Sequence, residues 1–189
     1  MPTGYQIVEQ TKLHYLTFQV VYWIDVFSRK TYRDLFLKSL EYCRQHKSLE
    51  VYGYVIMTNH IHLLVRSSAG DLSGAIRDLK KFTSKSIVEA LSDDRESRRE
   101  WILRLLSHAA KRQNKEGKYQ FWTHENHAEL IYSNSFIEQK LAYIHVNPVR
   151  AGFVTKPEDY LYSSARNYAE LDALIEIDKI GVRWKTVKN

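Results

Sequence analysis

The sequence predicts an α+β sandwich, in which helices pack on one side of an antiparallel sheet. Residues 14–27 and 49–57 are rich in β-branched and aromatic side chains, which is typical of strands. Residues 30–46 instead repeat apolar side chains at helical spacing. With the elements described below, the predicted order is β-α-β-β-α-(α)-β-α. This order is that of a ferredoxin-like sandwich with one inserted helix and one added C-terminal helix.

The strands after the first helix are predicted as a hairpin and a later fourth strand. Residues 49–57 form one arm of the hairpin, and His60 to Arg66 form the other. Thr58 and Asn59 lie between the arms and suit a tight turn. Residues 118–122, which include Tyr119, Phe121 and Trp122, predict the fourth strand.

Three further helices are predicted from caps and periodicity. Asp71, or a neighbouring residue, can cap a helix whose apolar face extends to Ile87. The charged segment 92–117 keeps apolar residues at helical spacing and predicts the inserted helix. The pattern Ser-x-x-Glu from Ser135 is a capping box that opens the last helix, and Pro148 predicts its end.

Length and composition favour one domain over residues 1–189, with a core of about 12–152 and an extension over 153–189 that holds a short helix. The single cysteine, Cys43, excludes an internal disulfide and suits a helix core in a reducing compartment. No apolar stretch is long enough to span a bilayer and no signal peptide is evident, so we expect a cytoplasmic protein with no membrane partner. A net charge of +6 favours a polyanionic partner, and 13% aromatic residues offer surfaces for unpaired bases.

Two histidines lie one residue apart on the second arm of the hairpin. A strand turns successive side chains to opposite faces, so His60 and His62 point to the same face, with Cα atoms about 7 Å apart. Two neutral imidazoles at this spacing can share a metal ion. The pattern alone equally allows one core histidine and one solvent-facing histidine.

The last helix carries a polar and aromatic stripe beside its apolar face. Phe136, Lys140, Tyr143 and Asn147 share this stripe, and the last two lie one turn apart. Asn147 can offer an amide oxygen as a third metal ligand, and Tyr143 a phenolic oxygen as nucleophile. A packing tyrosine and an asparagine that caps the helix before Pro148 explain the same residues.

Basic residues suggest where a nucleic acid backbone would lie. They are Arg77, Lys80, Lys81 and Lys85 on the helix after Asp71, and Arg150 close to the helix of Tyr143. A solvated helix face explains the same lysines.

Two motifs together resemble a known family. Met57-Thr-Asn-His60-Ile-His62-Leu-Leu-Val65 is followed by Tyr143-Ile-His-Val-Asn147-Pro-Val-Arg-Ala-Gly152. In this order and at this separation they closely resemble the REP-associated group of single-tyrosine HUH transposases. The resemblance covers most of the chain, including Phe121-Trp122 and the tail from Tyr160 to Tyr168.

The resemblance implies a ferredoxin-like HUH endonuclease that cleaves and rejoins single-stranded, hairpin-forming DNA through a covalent 5′-phosphotyrosine. It implies that His60 and His62 bind a divalent cation and that Tyr143 is the nucleophile. Asn147 matches the third ligand position, where related transposases have glutamine. A site that is open to phosphate and water suits Mg²⁺ or Mn²⁺ better than zinc. Such an enzyme would associate with the nucleoid, and exchange of two DNA ends would need a homodimer or sequential steps.

Two other functions fit the same sequence. The chain could be a domesticated nucleic-acid-binding protein that no longer cleaves. It could also be a metal-dependent hydrolase in which an activated water attacks and Tyr143 only positions the substrate.

Overall fold

The computed structural model describes residues 6–93, 96–113, 117–124 and 126–181. The strands are β1 (His14–Gln19), β2 (Leu49–Ile56), β3 (His60–Ser67) and β4 (Glu129–Leu130). The helices are α1 (Lys30–His46), α2 (Leu72–Leu91), α3 (Arg99–Arg112), α4 (Asn134–Arg150) and α5 (Ala165–Tyr168). Among the described residues, no helix is long and apolar enough to cross a membrane.

The four strands form one antiparallel sheet in the order β2-β3-β1-β4. This strand order, with the helices between the strands, confirms the predicted ferredoxin-like α+β fold. In the central pair, Thr17 lies opposite His62 and Phe18 lies opposite Ile61. The register therefore determines which side chains of β1 share a face with the histidines.

Helices α1 and α2 cover the face of the sheet that Phe18 and Ile61 occupy. The Nζ of Lys80 on α2 lies 5.3 Å from the centre of the Phe18 ring. Trp122 packs on the same ring at 5.7 Å and donates from Nε1 to the carbonyl of Lys80. The largest apolar side chains, including Phe27 and Phe36, are buried on this side, so the main core lies here.

Helix α4 packs on the opposite face of the sheet, so the expectation of helices on one side only is wrong. Gly53 on β2 makes this packing close, because a Cβ atom at this position would lie 2.7 Å from Leu141 on α4. The same position is 3.5 Å from Ile144 and 3.5 Å from Leu64, which shares a face with His62. Helix α4 therefore lies on the histidine face.

Two predicted strands differ from the structure. Strand β1 ends at Gln19, and residues 21–23 and 26–28 form short 3-10 turns instead. Residues 118–122 are not a strand, because only Trp122 makes an isolated bridge, to Val20. The fourth strand is Glu129–Leu130, which pairs with His14 and Tyr15. The aromatic residues among 119–122 are typical of a strand, which is why a strand was predicted there. In the structure, Phe121 and Trp122 are buried in the core, and the segment does not pair with a strand along its length.

Both ends of α4 were also mispredicted. Ser133, two residues before the predicted cap, accepts the hydrogen bond from the backbone N–H of Phe136. Pro148 lies inside the helix, which continues to Arg150. A proline in the last turn removes only one backbone hydrogen bond, so the helix continues past it.

The chain after Gly152 packs along the outer edge of β2. Val55 bridges to Ser163, and the N–H groups of Ser164 and Asp178 donate to carbonyls of β2 at 2.9 and 2.8 Å. The short helix predicted in this extension is present as α5. The extension thus covers an edge that would otherwise leave backbone groups unpaired.

Candidate active site

His60 and His62 share one face of β3, and their ring centroids are 4.8 Å apart. His62 is buried at 4% exposure, whereas His60 is half-buried near the hairpin turn. This arrangement confirms the geometric part of the prediction, because both imidazoles point into the same small volume.

In both histidines, an oxygen atom lies beside the Nδ1 nitrogen. The amide Oδ1 of Asn59 is 2.6 Å from Nδ1 of His60 and can only accept, so this nitrogen carries the proton. At His62, the Tyr15 hydroxyl is 2.7 Å and the Thr17 hydroxyl 3.0 Å from Nδ1. The tautomers that donate from Nδ1 leave each Nε2 with a free lone pair. These contacts orient the rings as the outer partners of metal-binding histidines do.

Burial keeps both imidazoles neutral at physiological pH. It lowers the pKa of His62 to about 3, with a smaller effect from His60 and Lys140. Burial likewise lowers the pKa of His60. Neutral imidazole is the form that binds metal ions, so the site is ready to accept a cation without first losing a proton.

The Nε2 atom of His62 supports a metal at this position. It is buried and has no hydrogen-bond partner among the described residues. A buried polar atom without a partner costs free energy, and a bound cation would remove that cost. No group of three or more His, Cys, Asp or Glu side chains in the described ranges could hold a metal. The third ligand predicted from the sequence, Asn147, is of another type.

Tyr143 lies directly beside the buried histidine. Its ring centroid is 5.3 Å from that of His62 and 6.2 Å from that of Tyr15. Tyr143 is 40% exposed, so its ring contacts the histidine while solvent and a large substrate can still reach it. The close packing of α4 at Gly53 produces this placement.

Asn147 lies one turn after Tyr143 on α4 and is half-buried. Its Nδ2 donates to the Tyr143 carbonyl oxygen at 3.3 Å. This bond engages the amide nitrogen and leaves the amide oxygen available as an acceptor. The role of Asn147 as third metal ligand stays a prediction.

Two cations on α4 flank the tyrosine. The guanidinium carbon of Arg150 is 5.9 Å from the centre of the Tyr143 ring. The Nζ of Lys140 is 4.2 Å from the centre of the Tyr15 ring and 2.8 Å from a carboxylate oxygen of Glu129. Positive charge at this face would attract a phosphate, and Arg150 was predicted for this purpose.

The other predicted DNA contacts lie on α2, on the opposite side of the sheet from Tyr143. Arg77, Lys81 and Lys85 are exposed there. Lys80 is half-buried, and its Nζ donates to the carbonyl of Thr123 at 3.0 Å and to Asn126 at 2.8 Å. Lys80 thus has a role in packing. The α2 residues lie on the other side of the sheet from the histidine site.

Sequence reasoning missed the residues that hold the histidine rings. Tyr15 and Thr17 lie two apart on β1, which is a signal for a shared face, but only the strand register places Thr17 opposite His62 and Tyr15 opposite Leu64 on the same face. Asn59 was assigned to the turn alone. Its contact with His60 follows from adjacency in the sequence and could have been proposed.

Comparison with known proteins agrees with this fold. The sequence model of the IS200-like transposase family matches residues 8–102, half of the chain, which include both histidines but not Tyr143. A solved structure of a REP-associated tyrosine transposase bound to a REP hairpin is similar with a TM-score of 0.60 at 15% identity, over 98% of this chain and 99% of that one. A transposase-like protein from Deinococcus radiodurans is similar over 76% of this chain and 95% of its own, at 17% identity and a TM-score of 0.42. Among curated proteins, none matches.

The fold is therefore that of a tyrosine transposase. The family match is more specific, and the chain belongs to the IS200-like transposase family.

Proposed function

We propose that this transposase cleaves and rejoins single-stranded DNA through a covalent bond to Tyr143. The observation that carries the proposal is the contact between Tyr143 and His62, whose ring centroids are 5.3 Å apart. A nucleophile is thereby held beside the two imidazoles that can bind a metal. A packing role alone would not require a partly exposed phenol next to an unpaired buried nitrogen.

His60 and His62 would hold a divalent cation through their Nε2 atoms, with Asn147 as a further ligand. We propose Mg²⁺ or Mn²⁺, because two imidazoles and an amide oxygen leave positions open for phosphate and water. Such an ion would polarise the scissile phosphate and stabilise the charge that develops there.

In the cleavage step, the Tyr143 oxygen loses its proton to solvent and forms a bond to phosphorus. The bond between phosphorus and the 3′-oxygen breaks, and that oxygen takes up a proton. The products are a 5′-phosphotyrosine and a free 3′-hydroxyl. Attack by a 3′-hydroxyl reverses these bonds and rejoins the strand, which suits strand transfer better than simple hydrolysis.

The substrate we propose is a DNA hairpin with a single-stranded flank. The positive charge of Arg150 beside Tyr143 suits the backbone of the flank. Arg77, Lys81 and Lys85 would contact the DNA only if it extends around the sheet to α2. With one tyrosine per site, exchange of two ends would use two protomers or two successive steps.

The test is the formation of a covalent adduct. Labelled hairpins from inverted repeats that flank the coding region are incubated with the protein and Mn²⁺ and separated under denaturing conditions. We expect a protein–DNA band that is lost in Tyr143→Phe and kept in Tyr42→Phe, an exposed tyrosine on α1. Cleavage that persists in Tyr143→Phe would favour the hydrolase, and binding without any cleavage would favour the non-cleaving protein.

A further inference from the structure

An exposed tryptophan lies beside the metal-binding pair. Trp23 is 61% exposed, and its ring meets that of His60 edge to face at a centroid distance of 6.3 Å. Because His60 and His62 are in ring contact, the indole is separated from the buried histidine by one imidazole. A large apolar surface is therefore open to solvent at the entrance to the candidate site.

The backbone holds this ring in an unusual conformation. Tyr22 and Trp23 have φ angles of 56° and 57°, in the left-handed region that bulky side chains rarely adopt. Two such residues in succession are strained, and strain of this kind is concentrated at functional sites. The rest of the fold therefore holds Tyr22 and Trp23 in a backbone conformation that these residues rarely adopt.

Contacts on three sides keep the turn in place. The N–H of Trp23 donates to the Val20 carbonyl at 3.1 Å, and the Tyr22 hydroxyl lies 2.9 Å from Nδ1 of His108 on α3. The Asn59 amide reaches the Trp23 carbonyl at 3.4 Å. Asn59 also contacts His60, so one side chain connects the tryptophan turn to the histidine pair.

We propose that Trp23 is a stacking platform for an unpaired base next to the scissile phosphate. This inference rests on the proposed function, because the histidine pair determines where that phosphate would lie. A flat, exposed indole suits a nucleobase, since every base offers a π-face to an aromatic ring. Stacking at Trp23 would hold the DNA strand across His60 and help determine which phosphate lies next to Tyr143.

The first test measures binding without cleavage. In a Tyr143→Phe background, the affinity for a fluorescent hairpin with a single-stranded flank is measured by anisotropy. We expect Trp23→Ala to weaken binding by roughly tenfold, the loss of one stacked base. Trp23→Phe keeps a ring and should retain most of the affinity. Phe82→Ala, which removes an exposed aromatic ring on α2 across the sheet, should leave the affinity unchanged.

The second test locates the base. Single abasic sites are placed at each position around the cleavage point, and the loss of affinity is compared between the protein that keeps Trp23 and its Trp23→Ala variant. We expect one abasic position that weakens binding when Trp23 is present and has no further effect in Trp23→Ala. Equal losses in both proteins at every position would overturn the proposal, as would a Trp23→Phe variant as weak as Trp23→Ala.

These outcomes are separable from the proposed function. If the native protein forms the covalent adduct but Trp23→Ala binds normally, the stacking proposal fails and the cleavage proposal stands. If no adduct forms but the abasic coupling appears, stacking stands and cleavage fails. Circular dichroism of each variant establishes that the turn substitution leaves the fold intact.

Discussion

At the scale of single residues, the site depends on which nitrogen of each imidazole is free. Asn59 contacts Nδ1 of His60, and Tyr15 and Thr17 contact Nδ1 of His62. With these oxygen partners at Nδ1, Nε2 is the nitrogen of each ring that remains for a metal ion. Three neighbouring side chains thus hold the rings of the two proposed metal ligands.

Removing the oxygen partners of His62 should weaken metal binding. The double variant Tyr15→Phe/Thr17→Val keeps the size of both side chains but leaves Nδ1 without a partner. We expect Mn²⁺ affinity to fall by about 10- to 100-fold, as for other outer-shell partners of metal ligands. Isothermal titration calorimetry measures the change, with Tyr42→Phe as control. An unchanged affinity in a folded double variant would show that these hydroxyls do not orient the ligand.

Metal binding should also stabilise the folded chain. A ligand that binds only the native state adds about 2.7 kcal/mol to the free energy of unfolding at 100 times its Kd. We expect Mn²⁺ to raise the melting temperature of the native protein and to have no effect on His62→Ala. His46→Ala, an exposed histidine on α1, should respond as the native protein does. A Mn²⁺ shift that survives in His62→Ala would place the metal elsewhere.

At the scale of elements, the contact between β2 and α4 positions Tyr143, the proposed nucleophile. Gly53 allows Leu141 and Ile144 to approach the strand, and Tyr143 lies between them in sequence. A register irregularity lies between Val51 and Gly53 on the same strand. The helix therefore approaches the histidine face where the strand lacks a side chain.

Gly53→Ala should separate α4 from the sheet. The new Cβ would lie 2.7 Å from a methyl carbon of the buried Leu141, so this side chain or the helix has to shift. Overpacking of this kind costs about 1–3 kcal/mol, which urea unfolding can measure. We expect adduct formation to slow by a larger factor than stability alone would explain, since Tyr143 moves with the helix. Gly181→Ala, with open space around its Cβ, is the control.

At the scale of the whole molecule, the C-terminal extension connects α4 to the edge of the sheet. His145 on α4 is buried, and its Nε2 is 2.9 Å from the Ser164 hydroxyl. The same hydroxyl accepts from the N–H of Tyr54 on β2 at 2.9 Å. Helix, extension and strand thus meet at one polar contact inside the core.

Because His145 in this contact is buried and can titrate, the stability of the folded chain should depend on pH. Burial lowers the pKa of His145 from 6.5 to about 4, so the unfolded chain binds a proton at mildly acidic pH that the folded chain does not. The contribution of neutral His145 to the free energy of unfolding is complete above the pKa of the unfolded state. This contribution is lost as the pH falls toward the pKa of the folded state. Between about pH 6.5 and about pH 5 the loss is about 2 kcal/mol.

His145→Gln should remove this part of the acid sensitivity. Glutamine can still hydrogen-bond to Ser164 but does not titrate, so its free energy of unfolding should fall less on acidification. Urea unfolding at several pH values gives the comparison. The His62 contribution, which has the same sign, remains in both proteins. Parallel curves for the two proteins would contradict a neutral buried His145.

The sequence by itself determined the elements whose signals are local. Periodicity predicted α1 with the bounds that the structure has, the hairpin of β2 and β3, and the shared face of His60 and His62. Backbone geometry sets these periods, so neighbouring residues suffice. Only the tertiary structure decided that α4 covers the histidine face, that residues 129–130 form the fourth strand, and that Tyr15 and Trp23 lie beside the histidines. Those contacts join distant parts of the chain, and the packing of the whole core selects them.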